Sequence, residues 1–457
     1  MRRVLFLAYF FPPLGGGGVQ RSAKFVKYLP ALGYEPIVVT GPARRSTPWS
    51  PTDATLFDDI PRGTAVARIA QPEPAWSGRW RSRAERWLSM PQPFSRWWVR
   101  ESVELGRWVG RDADLIYASM SPFESGEAAA RLARELDKPW VADLRDPWAL
   151  DEITVYPTLL HRRREASRMR RTLASAAAIV MNTPEAADQL RRDFTELRAT
   201  PIVTIPNGYD GDDFASPSAG RTDPVFRIVH AGFAHTAPVA RRPSIWLGGA
   251  VTGFDIMTRS HARLLDAVKR VLAAHPELRG LLEVHLAGFM YDEEKQRLGS
   301  SPVHAHGYLT HPETVALLRS ADLLFLPMHD LPPGRRARTV PGKTYEYAAT
   351  GRPILAAVPD GDARDLLSRI GTAFVCRPSD VETMERIILR EVERKRHGGP
   401  DPEPNWPLIE QYERRALTGR LADVFDSMLA PAMRRSALEA RTGNPSAAVS
   451  AIRTGAR

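Results

Sequence analysis

Short apolar runs alternating with segments of helical period, in two successive series, constrain this 457-residue chain more than any other feature. In the first series, "RVLFLAY" (3–9), "PIVVT" (36–40), "DLIYAS" (114–119), "WVADL" (140–144), "AIVMN" (178–182) and "PIVTIPN" (201–207) read as buried parallel strands, with helices between most of them. A polar stretch, "FASPSAGRTDP" (214–224), interrupts the pattern. The alternation restarts with "VFRIVHAG" (225–232), "LLEVHLAG" (281–288), "ADLLFLP" (321–327), "RPILAAV" (352–358) and "GTAFVC" (371–376). Such a chain is α/β, with two doubly wound domains, expected at 1–212 and 213–405. A last periodic segment, within 406–430, has no strand after it and is expected to close one domain against the other. The Ala, Ser, Gly and Arg-rich stretch 431–457 reads as a disordered basic tail.

With 43% hydrophobic and 25% charged residues, the chain holds apolar material for two cores. No apolar run is long enough to span a bilayer and no signal-peptide pattern opens the sequence, so a cytoplasmic location is expected. A single cysteine, Cys376, excludes an internal disulfide and a cysteine-based zinc site. The formal charge of +10 is uneven, with six arginines against one glutamate in 79–100. Nucleic acid, an anionic membrane surface and acidic substrates are all targets for such a balance.

"YFFPPLGGGGVQR" (9–21) sets Gly15, Gly16, Gly17 and Gly18 between the first strand and the first helix. A Gly-rich turn there lets backbone N–H groups approach an anion, to which the helix N-terminus adds roughly half a positive charge. The spacing is not that of the dinucleotide fingerprint, which argues against a nicotinamide cofactor, and no cofactor is expected. Arg21, in the early turns of that helix, opposes the helix dipole unless an anion compensates it. The same oddity recurs at Arg259 in "TRSHARLLDAV" and at Lys343 in "VPGKTYEYAATGRP". Lys343 and Glu346 share a helix face. They are either a clamp, with the lysine on phosphate and the carboxylate on ribose hydroxyls, or a surface ion pair worth about 0.2–0.5 kcal/mol.

Together, "YFFPPLGGGGVQR", "DLRDPW", "IPNGYD" and "PGKTYEYAATGRPIL" resemble the retaining, GT-B-fold glycosyltransferases of the group 1 (family 4) class, over about residues 3–430. The resemblance implies two Rossmann-like domains facing across a cleft, acceptor mainly on the first, sugar nucleotide mainly on the second, and a last helix crossing back. It implies that Gly15 to Gly18 lie near the donor diphosphate and acceptor. Arg259 and Lys343 would face the diphosphate, Glu346 the ribose, and the backbone around Tyr308 and Leu309 the base edge. Asp146 and Arg145 end a strand where α/β sheets bind ligands. They either contact an acceptor or sugar hydroxyl or form an internal ion pair that shapes the loop. Arg21 is grouped with them on the acceptor side, and Asn207 and Gly208 read as a hinge turn.

The chain also departs from the family. Glu346 matches the second glutamate of the family's spaced pair, but Arg338 stands where the first belongs. The long run 233–258 reads as a lid, with Arg241 or Arg242 as competing phosphate ligands. Asp210, Asp212 and Asp213 suit either Mg²⁺ or Mn²⁺ or a polar linker; the resemblance implies catalysis without a bound metal, and no metal ligand is assigned. His230, His285, His304 and His306 lack a ligand-like spacing and read as packing residues.

The expected function is transfer of a sugar from a nucleoside-diphosphate sugar to a hydroxyl acceptor in polysaccharide, glycolipid or other glycoconjugate synthesis. A GT-B-fold sugar-nucleotide epimerase and a non-catalytic sugar-nucleotide-binding protein are the alternatives. In 76–100, Trp80, Trp87, Trp97 and Trp98 interleave with arginines. That composition suits peripheral membrane association and a lipid-linked acceptor, or a packed subdomain over the acceptor cleft. Nucleic acid is set aside because no recognition-module signature accompanies the patch.

Overall fold

The computed structural model describes all residues except 44–50, 75–84, 86, 91, 216–222, 234–241, 289–301 and 443–457, and only the backbone of 242, 243 and 431–442. Trp80 and Arg241, with 234–241 of the lid expected at 233–258 and the side chain of Arg242, therefore fall outside the described residues.

Two all-parallel sheets organise the molecule. The first contains β1 (Arg2–Leu7), β2 (Tyr34–Thr40), β3 (Ala65–Arg68), β4 (Leu115–Ser119), β5 (Trp140–Leu144), β6 (Ala178–Met181) and β7 (Ile202–Thr204), in the order β3-β2-β1-β4-β5-β6-β7. The second contains β8 (Phe226–Ala231), β9 (Leu282–Ala287), β10 (Val303–Gly307), β11 (Leu323–Pro327), β12 (Ile354–Ala357) and β13 (Ala373–Cys376), in the order β10-β9-β8-β11-β12-β13. Both reverse direction beside their first strand, the doubly wound arrangement in which ligands bind outside the carboxyl ends at the switch point.

Burial on both faces explains why the central strands are continuous apolar runs. In β1, Leu5 and Leu7 join one core, with Val103 and Leu132. Val4 and Phe6 join the opposite core, with Phe25 and Val26. The helices that matter below are α1 (Gly17–Tyr28), α2 (Pro93–Val109), α3 (Leu159–Leu173), α4 (Pro184–Asp193), α5 (Ala262–Ala274), α6 (His311–Arg319), α7 (Lys343–Ala349), α8 (Val381–Arg396) and α9 (Arg414–Thr442). Local sequence sets their starts: Thr183 accepts from the Ala186 N–H with Pro184 at the first position of α4, and Thr310 and Glu313 form a capping box on α6.

The chain crosses between the sheets twice, and the crossings hold each other. Tyr209 N–H donates to Tyr412 O at 3.1 Å, and Arg414 N–H donates to Tyr209 O at 2.8 Å. A side chain at Gly208 would place its Cβ 2.1 Å from Tyr412 O, so only glycine permits this approach. After the second crossing, α9 lays Leu417, Leu421 and Phe425 on the core beneath Val4, Phe6 and Phe25 of the first sheet. Full burial of each such side chain is worth roughly 1.5–3 kcal/mol. The helix runs to Thr442, past the start expected for a disordered tail, because 431–442 continues its backbone hydrogen bonding.

Trp97 and Trp98 pack on α2 in a buried cluster with Tyr9 and Ile69. Their role is core, not interface. Trp87, by contrast, is 48% exposed.

Candidate active site

A cleft of about 410 Å³ lies between the carboxyl ends of the two sheets. From the first sheet it is lined by Gly16 to Gly18 after β1, Arg145, Asp146 and Asp151 after β5, and Asn207 and Gly208 after β7. From the second come Gly232, Arg259, Tyr308, Leu309, Lys343 and Glu346.

The glycine turn is fixed by close approaches. A Cβ on Gly15 would fall 2.3 Å from the Tyr308 hydroxyl, and one on Gly18 would fall 2.5 Å from Arg145 Nη1. Gly16 is at φ +92°, the left-handed region glycine tolerates. Helix α1 then begins at Gly17, within the stretch Gly16 to Gly18 that lines the cleft. Gly15 itself does not line the cleft; it seats Tyr308.

Lys343 opens α7 and donates to His230 Nε2 at 3.2 Å. His230 Nδ1 lies 2.8 Å from Phe325 O, so the ring is neutral with Nδ1–H donating and Nε2 accepting the ammonium. No carboxylate among the described residues pairs with Lys343. Burial, and then the charge of Arg259, push the ammonium down to about 7. Arg259 makes no side-chain hydrogen bond or ion pair with a described residue, and burial pulls it below the usual range despite the charges of Asp151 and Asp146. It precedes α5 by three residues, in a loop rather than in the first helical turn. Glu346, one turn after Lys343, also makes no hydrogen bond or ion pair among the described residues. The surface-pair reading of Lys343 and Glu346 thus fails, and two cations and one carboxylate without a direct ion-pair partner among the described residues share the cleft wall.

Arg21 corrects the sequence reading. It is 1% exposed and turned away from the cleft, with Nε and Nη2 donating to the two carboxylate oxygens of Asp143 at 2.7 and 2.8 Å. Its remaining donors reach Ile205 O and Pro206 O at 2.9 and 2.8 Å. The anion that compensates it is internal, so it is not an acceptor residue. Arg145 also donates inward, to Gly18 O, and lies 3.4 Å from Asp146, whose side chain is 51% exposed at the cleft. Both readings of that pair hold geometrically: it shapes the loop and leaves the Asp146 carboxylate accessible.

Asp210 and Asp213, whose carboxylate oxygens lie within 4.8 Å of each other and of Asp59, are paired with amines. Lys24 Nζ lies 2.6 and 3.1 Å from them and 2.7 Å from Asp59. Lys27 reaches Asp210 and Asp212 at 2.7 and 2.8 Å, and His311 reaches Asp213 at 2.8 Å.

Three residues at or behind the cleft wall escaped sequence reasoning: His261, Asp151 and Arg414. His230, read as a packing residue, and His261 are both buried with pKa values pulled down by burial, His261 to about 3. Asp151, on the loop after β5, is pushed up by burial to about 7 while facing Arg259. Arg414 opens α9, is 4% exposed, and keeps a buried Nη1 with no partner among the described residues. Arg338, in the missing glutamate's position, turns to the other sheet: its guanidinium donates to Leu150 O and its N–H to Glu152 Oε1.

Comparison with known proteins places this architecture. Residues 16–208 match the family described as "Glycosyl transferase 4-like domain" and residues 251–393 the one described as "Glycosyl transferases group 1". The chain belongs to the group 1 glycosyltransferases, with the GT-B fold. Among solved structures, it resembles HepE of Anabaena in complex with UDP and glucose, at 16% identity over 93% of this chain and 100% of that one, with a TM-score of 0.57. Sucrose-phosphate synthase of Thermosynechococcus elongatus matches at 12% identity, 94% and 100% coverage and a TM-score of 0.56. A UDP-GlcNAc 2-epimerase of Methanocaldococcus jannaschii matches at 9%, 93% and 100% coverage and 0.51. No curated protein matches the chain.

Proposed function

We propose that this glycosyltransferase moves a sugar from a nucleoside-diphosphate donor to an acceptor hydroxyl, with retention at the anomeric carbon. One observation carries the reading: Arg259, Lys343 and Glu346 converge on one cleft wall, and none of them makes a direct ion pair with a described residue. Two cations suit a diphosphate, and a lone carboxylate one turn away suits vicinal ribose hydroxyls. The structures of HepE with UDP and glucose favour a uridine nucleotide.

In the reaction, the bond from the anomeric carbon to the diphosphate oxygen breaks and a bond to the acceptor oxygen forms. The acceptor's proton passes to the departing phosphate oxygen on the same face. Negative charge grows on the diphosphate as it leaves. Arg259, Lys343 and the N–H groups at the start of α1 are fixed where that charge develops, and so stabilise the transition state more than the ground state. These cations supply the neutralisation a divalent metal would otherwise give, so turnover is unchanged by adding or withholding Mg²⁺ or Mn²⁺. Tyr308 and Leu309 border the base, and Asp146 and Asp151 the sugar and acceptor hydroxyls. Gly15 acts through Tyr308.

The acceptor is sugar or lipid-linked, and an exposed apolar rim supports a lipid surface. Trp87 meets His161 edge-on, and Leu159 N–H donates to Leu247 O, which brings Trp87, Leu88, Leu159, Leu160, Trp246 and Leu247 near one another. All six are exposed, beside the arginine run 162–164 of α3. A rim of this kind serves a glycolipid or polysaccharide-precursor role on a cytoplasmic membrane face.

The test is incubation of the pure protein with UDP-, GDP-, ADP- and dTDP-sugars, with and without extracts supplying lipid and sugar acceptors. A labelled product that forms only with acceptor, and that retains the donor's anomeric configuration, supports the proposal. An altered sugar nucleotide released without acceptor identifies an epimerase. Nucleotide binding without any product identifies a non-catalytic binder.

A further inference from the structure

Outside the cleft, the edge of the second sheet carries four residues with metal-binding chemistry. Strands β9 and β10 pair in parallel with Val303 opposite Val284 and His304 opposite His285. Val284 and Leu286 point into a core cluster, so the period of two sends Glu283 and His285 to the opposite face. The register puts His304 on that face beside His285. The irregularity between Ala305 and Gly307 brings His306 there as well, with its Nε2 2.9 Å from His285 Nδ1.

Donor atoms of Glu283, His285 and His304 all lie within 4.8 Å of one another. Glu283 Oε2 is 2.9 Å from His285 Nε2, and Glu283 Oε1 is 3.6 Å from His304 Nε2. Around a tetrahedral zinc with bonds of about 2.0–2.1 Å, ligand atoms sit roughly 3.3 Å apart; the two separations bracket that edge. The rings of His285 and His304 stack at 4.7 Å, so the pair is already side by side. His285 is 8% exposed and His304 is exposed, which leaves the group anchored on one side and open to solvent on the other.

We propose that Glu283, His285 and His304 bind one Zn²⁺-class divalent ion, with water completing the shell. Imidazole and carboxylate together suit Zn²⁺ and Co²⁺ rather than Mg²⁺ or Ca²⁺. His306 holds His285 from behind: once His285 Nε2 turns its lone pair to the metal, Nδ1–H donates to His306 Nε2, the outer hydrogen bond that metal-bound histidines keep. One opposing charge faces the site, Arg227, whose Nε lies 3.5 Å from Glu283 Oε2. It leaves Oε1 to the metal and lowers the affinity rather than blocking the site. None of the four residues lines the cleft. The ion would fasten edge strand β10 to β9, and β10 runs directly into Tyr308.

The test uses the full chain, stripped with a chelator and titrated with Co²⁺ and Zn²⁺ in calorimetry. One ion per chain, tetrahedral Co²⁺ absorption bands and a Zn²⁺-dependent rise in unfolding temperature are expected. His304→Ala, at an exposed position that keeps folding, should weaken binding at least tenfold, whereas His275→Ala, at the C-terminal end of α5 and outside the group, should leave it unchanged. Equal binding by wild type and His304→Ala, or an octahedral Co²⁺ spectrum alone, overturns the proposal, as does a folded wild type that takes up no ion.

Discussion

Arg338 Nη1 donates to the carbonyl of Leu150 at 2.7 Å, tying the segment before α7 to the loop after β5 on the opposite sheet. Glu152, on that loop, is 4% exposed; its Oε1 accepts from the Arg338 N–H at 3.1 Å and lies 3.3 Å from His329. Where the family's first glutamate belongs, this chain therefore spends the position on closure, and the carboxylates near Arg259 come from the other sheet as Asp146 and Asp151.

Restoring the glutamate should consequently harm the protein. Arg338→Glu would set a carboxylate beside Glu152 and remove the bond to Leu150. The expected result is a lower unfolding temperature and at least a tenfold loss of transfer, with Arg338→Met less damaging than Arg338→Glu. Gain of activity in Arg338→Glu would show that position 338 still serves the transferred sugar.

Lys343 should be costly to the empty protein and needed by the loaded one. Its pKa falls from 10.5 in the unfolded chain to about 7 when folded. Between those values the unfolded chain holds a proton that the folded chain lacks, so this group's penalty is full below pH 7 and is relieved as pH rises toward 10.5. Lys343→Met should therefore raise the ligand-free unfolding temperature at pH 6 by a few degrees, given roughly 2–4 °C per kcal/mol, and this gain should shrink by pH 10. The same variant should lose UDP binding. In wild type, UDP affinity should fall above pH 7 by up to about tenfold per pH unit, because the diphosphate needs the charged lysine.

Glu346→Gln keeps the shape and removes the charge. A hydrogen bond to a charged group contributes about 1.5–3 kcal/mol, so nucleotide affinity measured by calorimetry should fall about tenfold to a hundredfold. A 2′-deoxynucleotide should discriminate less between wild type and this variant. Unchanged UDP affinity would remove Glu346 from the ribose role.

Asp143→Asn should be a folding defect, not a binding one. It strands the Arg21 guanidinium, which Asp143 holds charged against burial. Breaking such a buried pair costs about 3–5 kcal/mol, readable by urea denaturation, and Arg21→Met in the same chain should recover much of the loss.

The exposed rim predicts association with vesicles containing anionic lipid. Leu160→Ser and Trp246→Ser should each weaken sedimentation with those vesicles by about tenfold, since burying one such side chain is worth roughly 1.5–3 kcal/mol. Salt should weaken it further through the 162–164 arginines. Equal binding by the double variant would place any membrane contact elsewhere.

The central strands were legible because burial on both faces writes them as apolar runs: "WVADL" is β5 residue for residue. Two of the four edge strands, β3 and β10, were not. β3, "AVAR", is short with an exposed first residue, and β10, "VHAHG", carries no apolar run because its middle three residues are all exposed. The nearness of Lys343 and Glu346 was legible because they lie one turn apart on a single helix. Arg21 misled for a physical reason: a cation that opposes a helix dipole does need an anion, but sequence spacing cannot show that Asp143, 122 positions away, supplies it. The grouping of Glu283, His285 and His304 was not legible, since Glu-x-His and His-x-His come together only when β10 pairs with β9.

The return of α9 to the first sheet has a consequence during synthesis. Phe6, Phe25 and Val26 belong to the opening residues of the chain, yet Leu417, Leu421 and Phe425, which cover them, are among the last translated. The first half of the nascent chain must wait on the ribosome with an apolar face open, and a chain cut short anywhere before about residue 417 leaves that face bare however well its second half has folded. Arg414 enters the cleft with the same helix, so a truncated product lacks both its cover and the finished site.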